Sequence, residues 1–69
     1  MFKIFNDVAI DTKKITALYV DNVGFKNKYQ YSVKAGMDNG DEWTLAEFGT
    51  NEDAAKKYLA QIVAELNAD

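Results

Sequence analysis

The 69-residue chain contains no cysteine, no histidine, no arginine and no proline. Without cysteine it can form neither a disulfide nor a thiolate metal site. Without histidine it lacks the commonest general base and the commonest metal ligand. Without arginine it lacks the planar cation that most often binds phosphate and carboxylate groups. The carboxylates are then the only plausible catalytic groups, and we predict no enzyme activity, no cofactor and no bound metal.

Length and composition predict one globular domain. A chain of 69 residues is too short to divide its core, so we assign residues 1–69 to a single domain. Its 48% apolar and 13% aromatic residues are typical of folded proteins rather than disordered ones. The uninterrupted apolar runs are only a few residues long, and the first residues lead into a strand pattern rather than a signal peptide. We therefore expect a soluble, cytoplasmic protein with no membrane partner.

Charge is distributed unevenly along the sequence. The net charge is −3, from eight Lys against seven Asp and four Glu. Residues 1–34 contain six Lys and three Asp, a balance of +3, whereas residues 35–69 contain two Lys and eight acids, a balance of −6. Such a distribution is typical of a solvated surface, and it also suits an acidic face that binds a basic partner.

Alternation of apolar and polar residues predicts five short strands, with the longest loop at 21–28. The third strand carries β-branched and aromatic residues on both faces, which favours a central position in the sheet. The fourth alternates most regularly, with Tyr31, Val33 and Ala35 on one face and Ser32 and Lys34 on the other, facing solvent. The predicted strands are about 2–5, 8–10, 15–20, 29–36 and 42–48.

The segment Asp38–Asp41 predicts a hairpin turn, and the length of its loop determines which residues of the two flanking strands pair. A two-residue loop would place the apolar residues of the two strands on opposite faces. A three-residue loop, with Gly40 in the left-handed conformation, places Ala35 opposite Trp43 and Val33 opposite Leu45. Because a slip of one residue turns every side chain over, burial favours the three-residue loop.

An amphipathic helix is predicted at about 51–66. Thr50 is the expected N-cap, bonding the amide of Asp53, whose carboxylate also suits a helix N-terminus. The apolar stripe consists of Ala55, Leu59, Ile62 and Leu66, widened by Tyr58 and Val63. The predicted fold is therefore α+β, an antiparallel β-meander of 3–5 short strands packed against one C-terminal helix.

Catalytic and metal-binding constellations are weak in this sequence. Carboxylates near the hairpin suggest a glycosidase-like pair or a calcium site at Asp38-x-x-Asp41-Glu42, but a hairpin tip is wet and the spacing is not that of an EF-hand loop. Ser32, the only serine, has no histidine to activate it, and a pair with Lys34 fails if both face solvent. No glycine-rich phosphate loop is present in the sequence.

Two further features point to partners. Trp43, the only tryptophan, is either a core residue or, with Tyr31 or Tyr58, an anchor at a protein interface. Five lysines with Tyr29 and Tyr31 as stacking platforms resemble a nucleic-acid surface, although the acidic net charge and the missing arginine argue against it. Those lysines are Lys13, Lys14, Lys26, Lys28 and Lys34.

Two segments carry a resemblance. They are the opening Ile4-Phe5-Asn6-Asp7-Val8-Ala9-Ile10-Asp11, followed by Ile15-Thr16-Ala17, and the close Phe48-Gly49-Thr50-Asn51-Glu52-Asp53-Ala54-Ala55. In these the chain resembles short uncharacterised proteins of bacteria and their phages, and the resemblance implies a β-meander with a C-terminal helix but no activity. In size, charge and lack of catalytic groups it is similar to anti-CRISPR-type phage inhibitors, which occlude a partner surface.

The leading hypothesis is a non-catalytic protein–protein interaction module, with a phage or mobile-element inhibitor of a host defence system, acting by binding, as its narrower form. The alternatives are a structural homodimer and, less favoured, a small-ligand binder or enzyme that uses surface carboxylates. The predicted contact residues for a protein partner are Asp38, Asp41, Glu42, Trp43, Glu47, Glu52 and Asp53.

Overall fold

The computed structural model describes residues 1–22, 24 and 28–68. Antiparallel sheets of two and three strands accompany one C-terminal helix, so the predicted α+β fold is confirmed. A single 3₁₀ turn, Thr12–Lys14, joins the two sheets. The elements in chain order are β1 Phe2–Phe5, β2 Val8–Asp11, β3 Ile15–Asn22, β4 Tyr31–Met37, β5 Glu42–Glu47 and α1 Glu52–Asn67.

Strands β1 and β2 form a two-stranded ribbon closed by a two-residue turn. Phe5 pairs with Val8, and the turn residues Asn6 and Asp7 have φ angles of 49° and 69°. Asparagine and aspartate tolerate this left-handed region better than other side chains do, which is why this dipeptide closes the ribbon tightly. The alternation along β1 leaves Phe2 and Ile4 exposed and buries Phe5.

The larger sheet has the order β3-β4-β5, so β4 is central and β3 is an edge strand. The predicted central position of β3 is wrong. On its second face, the apolar residues Ala17 and Tyr19 lie over Gly36 of β4, which has no side chain. A Cβ built on Gly36 would lie 3.6 Å from the Cβ of Ala17 and 4.0 Å from a ring atom of Tyr19. Apolar residues on both faces of β3 therefore reflect packing over a glycine, not a strand on either side.

The β4–β5 hairpin has the predicted three-residue loop. The Met37 amide donates to the Asp41 carbonyl at 2.8 Å, and Gly40 has a φ of 91°. Ala35 pairs with Trp43 as predicted, but Val33 pairs with Ala46 rather than with Leu45. A register shift between Val33 and Lys34 makes Leu45 an extra residue on β5, and both Val33 and Leu45 are still buried. The bulge therefore allows Val33 and Leu45 to be buried on the same side of the sheet, the result that was predicted from a pairing without a bulge.

Helix α1 begins one residue later than predicted, and Thr50 is not its cap. The Asn51 side chain accepts a 3.0 Å hydrogen bond from the Ala54 amide, and the Asn51 amide donates to the Phe48 carbonyl. Gly49, with a φ of 56°, turns the chain so that Asn51 reaches the cap position. Asp53 still lies in the first turn, where a carboxylate is favourable.

Replacing Asn51 by Ala is expected to lower the free energy of unfolding by about 0.5–2 kcal/mol, because the Ala54 amide loses its only side-chain acceptor. Thr50→Ala is the matched control and is expected to change stability by less than about 0.5 kcal/mol. Urea denaturation of both variants measures the difference. A larger loss for Thr50→Ala than for Asn51→Ala would contradict the capping assignment.

One core joins the ribbon, the larger sheet and the helix. The inner face of the larger sheet is the face that packs against α1, and the opposite face is called the outer face below. Ala55 and Ile62 of the predicted helix stripe are buried, Leu59 and Leu66 are partly buried, and Val63 is exposed. The buried apolar residues are Phe5, Ile10, Val33, Ala35, Leu45, Ala55 and Ile62.

Candidate functional site

The predicted acidic contact residues lie around β5, which is an edge strand. Six residues of strand span about 16 Å, so the acids fall into two groups at the two ends of β5 rather than into one cluster. The first group is Asp38, Asp41 and Glu42, and the second is Glu47, Glu52 and Asp53.

Some of these acids already have partners. Asp38 lies 3.8 Å from the Lys14 ammonium, and Glu52 lies 3.8 Å from Lys56, one helical turn away. Asp41 accepts a 3.1 Å hydrogen bond from the Asn39 side chain. These contacts are exposed, and exposed ion pairs of this kind contribute about 0–1 kcal/mol each. The acids therefore stay available to a partner surface.

Trp43 is 42% exposed, so the alternative that it is a core residue is wrong. It follows Glu42 at the start of β5, directly after the acidic turn. Its predicted aromatic neighbours lie elsewhere in the described chain: Tyr31 stacks on Tyr29 with ring centroids 6.2 Å apart, and Tyr58 packs against Phe48 at 5.3 Å. Trp43 is paired with Ala35 across the β4–β5 hairpin, and neither tyrosine stacks on it.

The outer face of the larger sheet is polar. On it the Lys34 ammonium lies 2.9 Å from the Asp21 carboxylate, across the β3–β4 pairing. The hydrogen bond to Asp21 raises the pKa of Lys34 above its ordinary value. Partial burial, and then a hydrogen bond to Glu42, raise the pKa of the Tyr19 phenol. Both groups therefore keep their protons more firmly in the folded protein than in the unfolded chain.

Thermal stability is expected to fall as the pH rises above about 10, where unperturbed tyrosine and lysine begin to titrate. The pKa values of Lys34 and Tyr19 are raised on folding, so their stabilising contribution is complete below the ordinary values of 10.5 and 10.0 and is lost as the pH rises through the folded values. Melting temperatures measured from about pH 9 to about pH 11.5 test this. Lys34→Gln should flatten the decline, and an equally steep decline in that variant would count against the Asp21 interaction.

Ser32 is buried on the outer face, which corrects the prediction that it faces solvent. It is 4% exposed, and its hydroxyl has no hydrogen-bond partner among the described residues. Because β4 is central, Ser32 lies between Asp21 of β3 and Glu47 of β5, whose longer side chains flank it. The one feature of the sequence that could have predicted this burial is a short polar side chain in the middle strand of a meander.

A small polar cavity adjoins Ser32. Its volume is about 190 Å³, and Ser32 shares its walls with Gln30, Lys34, Thr44 and Glu47. We call it the outer pocket. Lys34 is held by Asp21 with a raised pKa, so it is protonated at neutral pH and cannot serve as a general base for Ser32. A serine–lysine nucleophile is therefore not assembled here.

A second concave region is a groove of about 400 Å³ between β3 and the C-terminal half of α1. Its walls are mainly apolar, with Ile15, Leu18, Val63 and Leu66 among them, and the described residues that line it include no charged side chain. The groove therefore offers contact area without catalytic groups.

Two of the five lysines of the alternative nucleic-acid surface form ion pairs with aspartates. Lys14 pairs with Asp38 and Lys34 with Asp21, while Lys26 lies outside the described residues. Tyr29 and Tyr31 stack on each other, and Tyr29 is exposed.

The described part of the chain, residues 1–22, 24 and 28–68, presents neither a metal-ligand cluster nor a membrane-spanning helix. Within those residues, His, Cys, Asp and Glu side chains form no group of three that could hold a metal ion. The described helix is not long and apolar enough to cross a membrane.

The solvent-exposed face of the β1–β2 ribbon carries an apolar patch to which the sequence analysis assigned no function. Phe2 is 70% exposed and Ile4 is 74% exposed, and Met1 adjoins them in the chain. Large apolar side chains exposed together mark interaction surfaces more often than side chains exposed singly.

Comparison of the chain with protein-family models, with curated proteins and with solved structures finds no match.

Proposed function

We propose that the protein is a non-catalytic protein-interaction module that binds a basic partner protein through β5 and the turn before it. The observation that carries the proposal is the position of Trp43, 42% exposed on an edge strand and flanked by carboxylates at both ends of that strand. Tryptophan is enriched among the residues that dominate binding energy at interfaces. A free strand edge adds backbone hydrogen-bonding groups that a partner can pair with.

The acids supply orientation and speed of association rather than most of the affinity. Acidic groups at the two ends of β5 attract a basic surface and fix its register along the strand. The narrower role of a phage or mobile-element inhibitor, which blocks a host defence protein by occluding its surface, is supported by the resemblance in size and charge. Binding alone is sufficient for that role, which needs no catalytic group.

Capture of a partner by the immobilised full chain from a lysate of its native host, quantified by mass spectrometry, tests the proposal. Trp43→Ala should lose the partner, and the double variant Glu42→Gln with Glu47→Gln should capture less of it and bind it more slowly. Phe2→Ala, which removes an exposed aromatic ring on β1, and Asp7→Asn, which removes a charge at the ribbon turn, are the matched controls. Undiminished capture by the β5 variants would refute the proposal.

The dependence of partner capture on ionic strength gives a second test of the proposal. Because the screening length falls from about 10 Å at 0.1 M salt to about 3 Å at 1 M salt, recovery of the partner should decline across that range. Recovery that is independent of salt would leave the acids without a role in binding.

Trp43→Ala is expected to lower the free energy of unfolding by only about 1–2 kcal/mol, less than the about 3–5 kcal/mol of a fully buried tryptophan. The reason is that 42% of the residue already faces solvent. Urea denaturation of the variant checks that loss of a partner is not loss of the fold. A cost near 5 kcal/mol would place the ring in the core instead.

A homodimer is a second candidate, favoured by a different observation. Phe2 and Ile4 are exposed on one face of the ribbon, and a two-fold pairing of that face with itself would bury both. Sedimentation at micromolar concentration tests it: a dimer that Ile4→Glu converts to monomer supports the interface, and a strict monomer contradicts it. Trp43→Ala should leave this association unchanged.

A further inference from the structure

Strand β3 has an open edge that lacks the usual protection against strand addition. Within the part of the chain that the structure describes, β3 pairs only with β4. Its register shift lies at the start, between Ile15 and Ala17, so residues 17–22 pair without interruption. Their one charge is Asp21, which Lys34 of β4 binds at 2.9 Å. Proteins usually protect such edges with lysine, proline or a bulge, and residues 17–22 have none of these.

The other edge of the larger sheet is different. Strand β5 has a bulge at Leu45 and a glutamate at each end, Glu42 and Glu47. Antiparallel pairing of two β5 strands would bring Glu42 of one copy next to Glu47 of the other, and like charges in such positions are destabilising. The two edges therefore suit different partners, with β5 suited to a basic surface and β3 to an uncharged strand.

Helix α1 lies toward the β3 edge of the sheet and runs alongside β3 in the opposite direction. It packs mainly on β3 and β4. Its last turn lies beside the start of β3, since Leu66 and Ile15 line the same groove. Its first turn follows Phe48, whose amide donates to the carbonyl of Tyr31, and Tyr31 pairs with Asn22 at the end of β3.

The flank of α1 that faces the β3 edge is uncharged over its second half. Val63 and Asn67 line the groove, and Ala60 lies three positions before Val63 on the same side of the helix. All three residues are exposed, Val63 by 37%. On the other flank, Glu65 is bound to Lys3 of the ribbon. The open strand edge and the uncharged helix flank therefore form one continuous surface.

A second copy of the chain has the dimensions that this surface requires. Neighbouring strands lie about 4.8 Å apart, and α1, packed on β3 and β4, is centred about half a spacing from β3. When two copies join at β3, the two helix axes lie two strand spacings apart, or about 9.6 Å. Packed helices are separated by about 8–10 Å. A lone peptide strand would pair with the same edge but would bring no helix to the flank of α1.

The charges at the two ends of β3 favour an antiparallel arrangement of the two copies. Lys13 and Lys14 lie directly before the strand, and Asp21 lies near its end. Two-fold pairing of β3 with itself places the basic start of each copy beside the acidic end of the other, so the attraction occurs twice. A parallel arrangement would place like charges side by side.

We propose that the protein forms a two-fold homodimer through antiparallel pairing of β3 with β3 of a second copy. The product is a continuous six-stranded sheet with both helices on one face, where the flanks that carry Ala60 and Val63 meet across the axis. The proposal is independent of the proposed function, because β5 lies at the opposite edge of the sheet and stays free in the dimer. It also uses a surface other than the exposed face of the ribbon.

Sedimentation equilibrium of the full chain, from micromolar to millimolar concentration, tests the dimer. Val63→Lys and Ala60→Lys each place two like charges near the axis and should raise the dissociation constant by about tenfold or more. Gln61→Lys makes the same change of charge on the other flank of the helix and, as the matched control, should dimerise as the parent does. Circular dichroism checks that each variant keeps its helix. A dimer that Ile4→Glu abolishes and Val63→Lys does not would place the interface on the ribbon and overturn the proposal.

Amide hydrogen exchange locates the interface independently of the variants. In the dimer, amides within residues 17–22 should exchange more slowly as the protein concentration rises, while those of β5 should not change. A strict monomer, or exchange in β3 that does not depend on concentration, would overturn the proposal and leave the edge to a strand of another protein. Capture of a β5 partner by Val63→Lys should match that of the parent, which separates failure of this proposal from failure of the proposed function.

Discussion

Leu45→Ala is expected to lower the free energy of unfolding by about 2–5 kcal/mol. Leu45 is 2% exposed and is the extra residue of the bulge on β5, so its whole side chain fills the space between the sheet and α1. A chain of 69 residues has a total stability of only about 3–10 kcal/mol. The substitution therefore removes a large fraction of the stability and leaves much of the protein unfolded at moderate temperature.

The control for this prediction is Leu45→Met, which nearly conserves volume and should cost less than about 1.5 kcal/mol. Urea denaturation followed by tryptophan fluorescence and by circular dichroism measures both variants. A cost below 1 kcal/mol for Leu45→Ala, found together with an unchanged denaturant slope, would show that Leu45 is not enclosed by the bulge.

Phe5→Ala is expected to cost about 3–5 kcal/mol, whereas Phe2→Ala should change stability by less than about 0.5 kcal/mol. The two phenylalanines lie on the same strand, one 3% exposed and the other 70% exposed. Phe5 belongs to the core cluster with Ile62 of α1, and a neighbouring contact, the ion pair of Lys3 with Glu65, also joins the ribbon to the helix. The pair of variants therefore measures how firmly the ribbon is attached.

Thermal and urea denaturation of the two phenylalanine variants, at a protein concentration where the parent is monomeric, give the comparison. Similar costs for both variants would mean that the ribbon does not present opposite faces to core and solvent. A loss of ribbon signals alone, with the larger sheet intact, would mean that the ribbon unfolds as a separate unit.

Local patterns were sufficient to predict the elements of this fold. The Asn6–Asp7 turn, the three-residue loop before Asp41 and the apolar stripe of the helix all depend on residues close together in the chain. The predictions that are wrong concern which strand or residue lies next to a given element. The second apolar face of the edge strand β3 packs over Gly36 of the neighbouring strand, and the pairing of Val33 depends on a bulge that no local pattern specifies.

The candidate site was predictable only in part. The acids around β5 could be predicted as a surface because carboxylates next to turn residues are solvated. The sequence allows two environments for Trp43, since a lone aromatic on a short strand fits either the core or its rim. The outer pocket was missed because the burial of Ser32 depends on the lengths of side chains from two neighbouring strands, Asp21 and Glu47.

Every strand pair in the described structure joins strands that follow one another in the chain. Each hairpin therefore closes over a short segment, and little chain entropy is lost before the first cross-strand contacts form. The arrival of α1 on β3 and β4 is a step that brings distant parts of the sequence together. We expect the speed of folding to be set by that late step, so that kinetic measurements report on the helix rather than on the sheets.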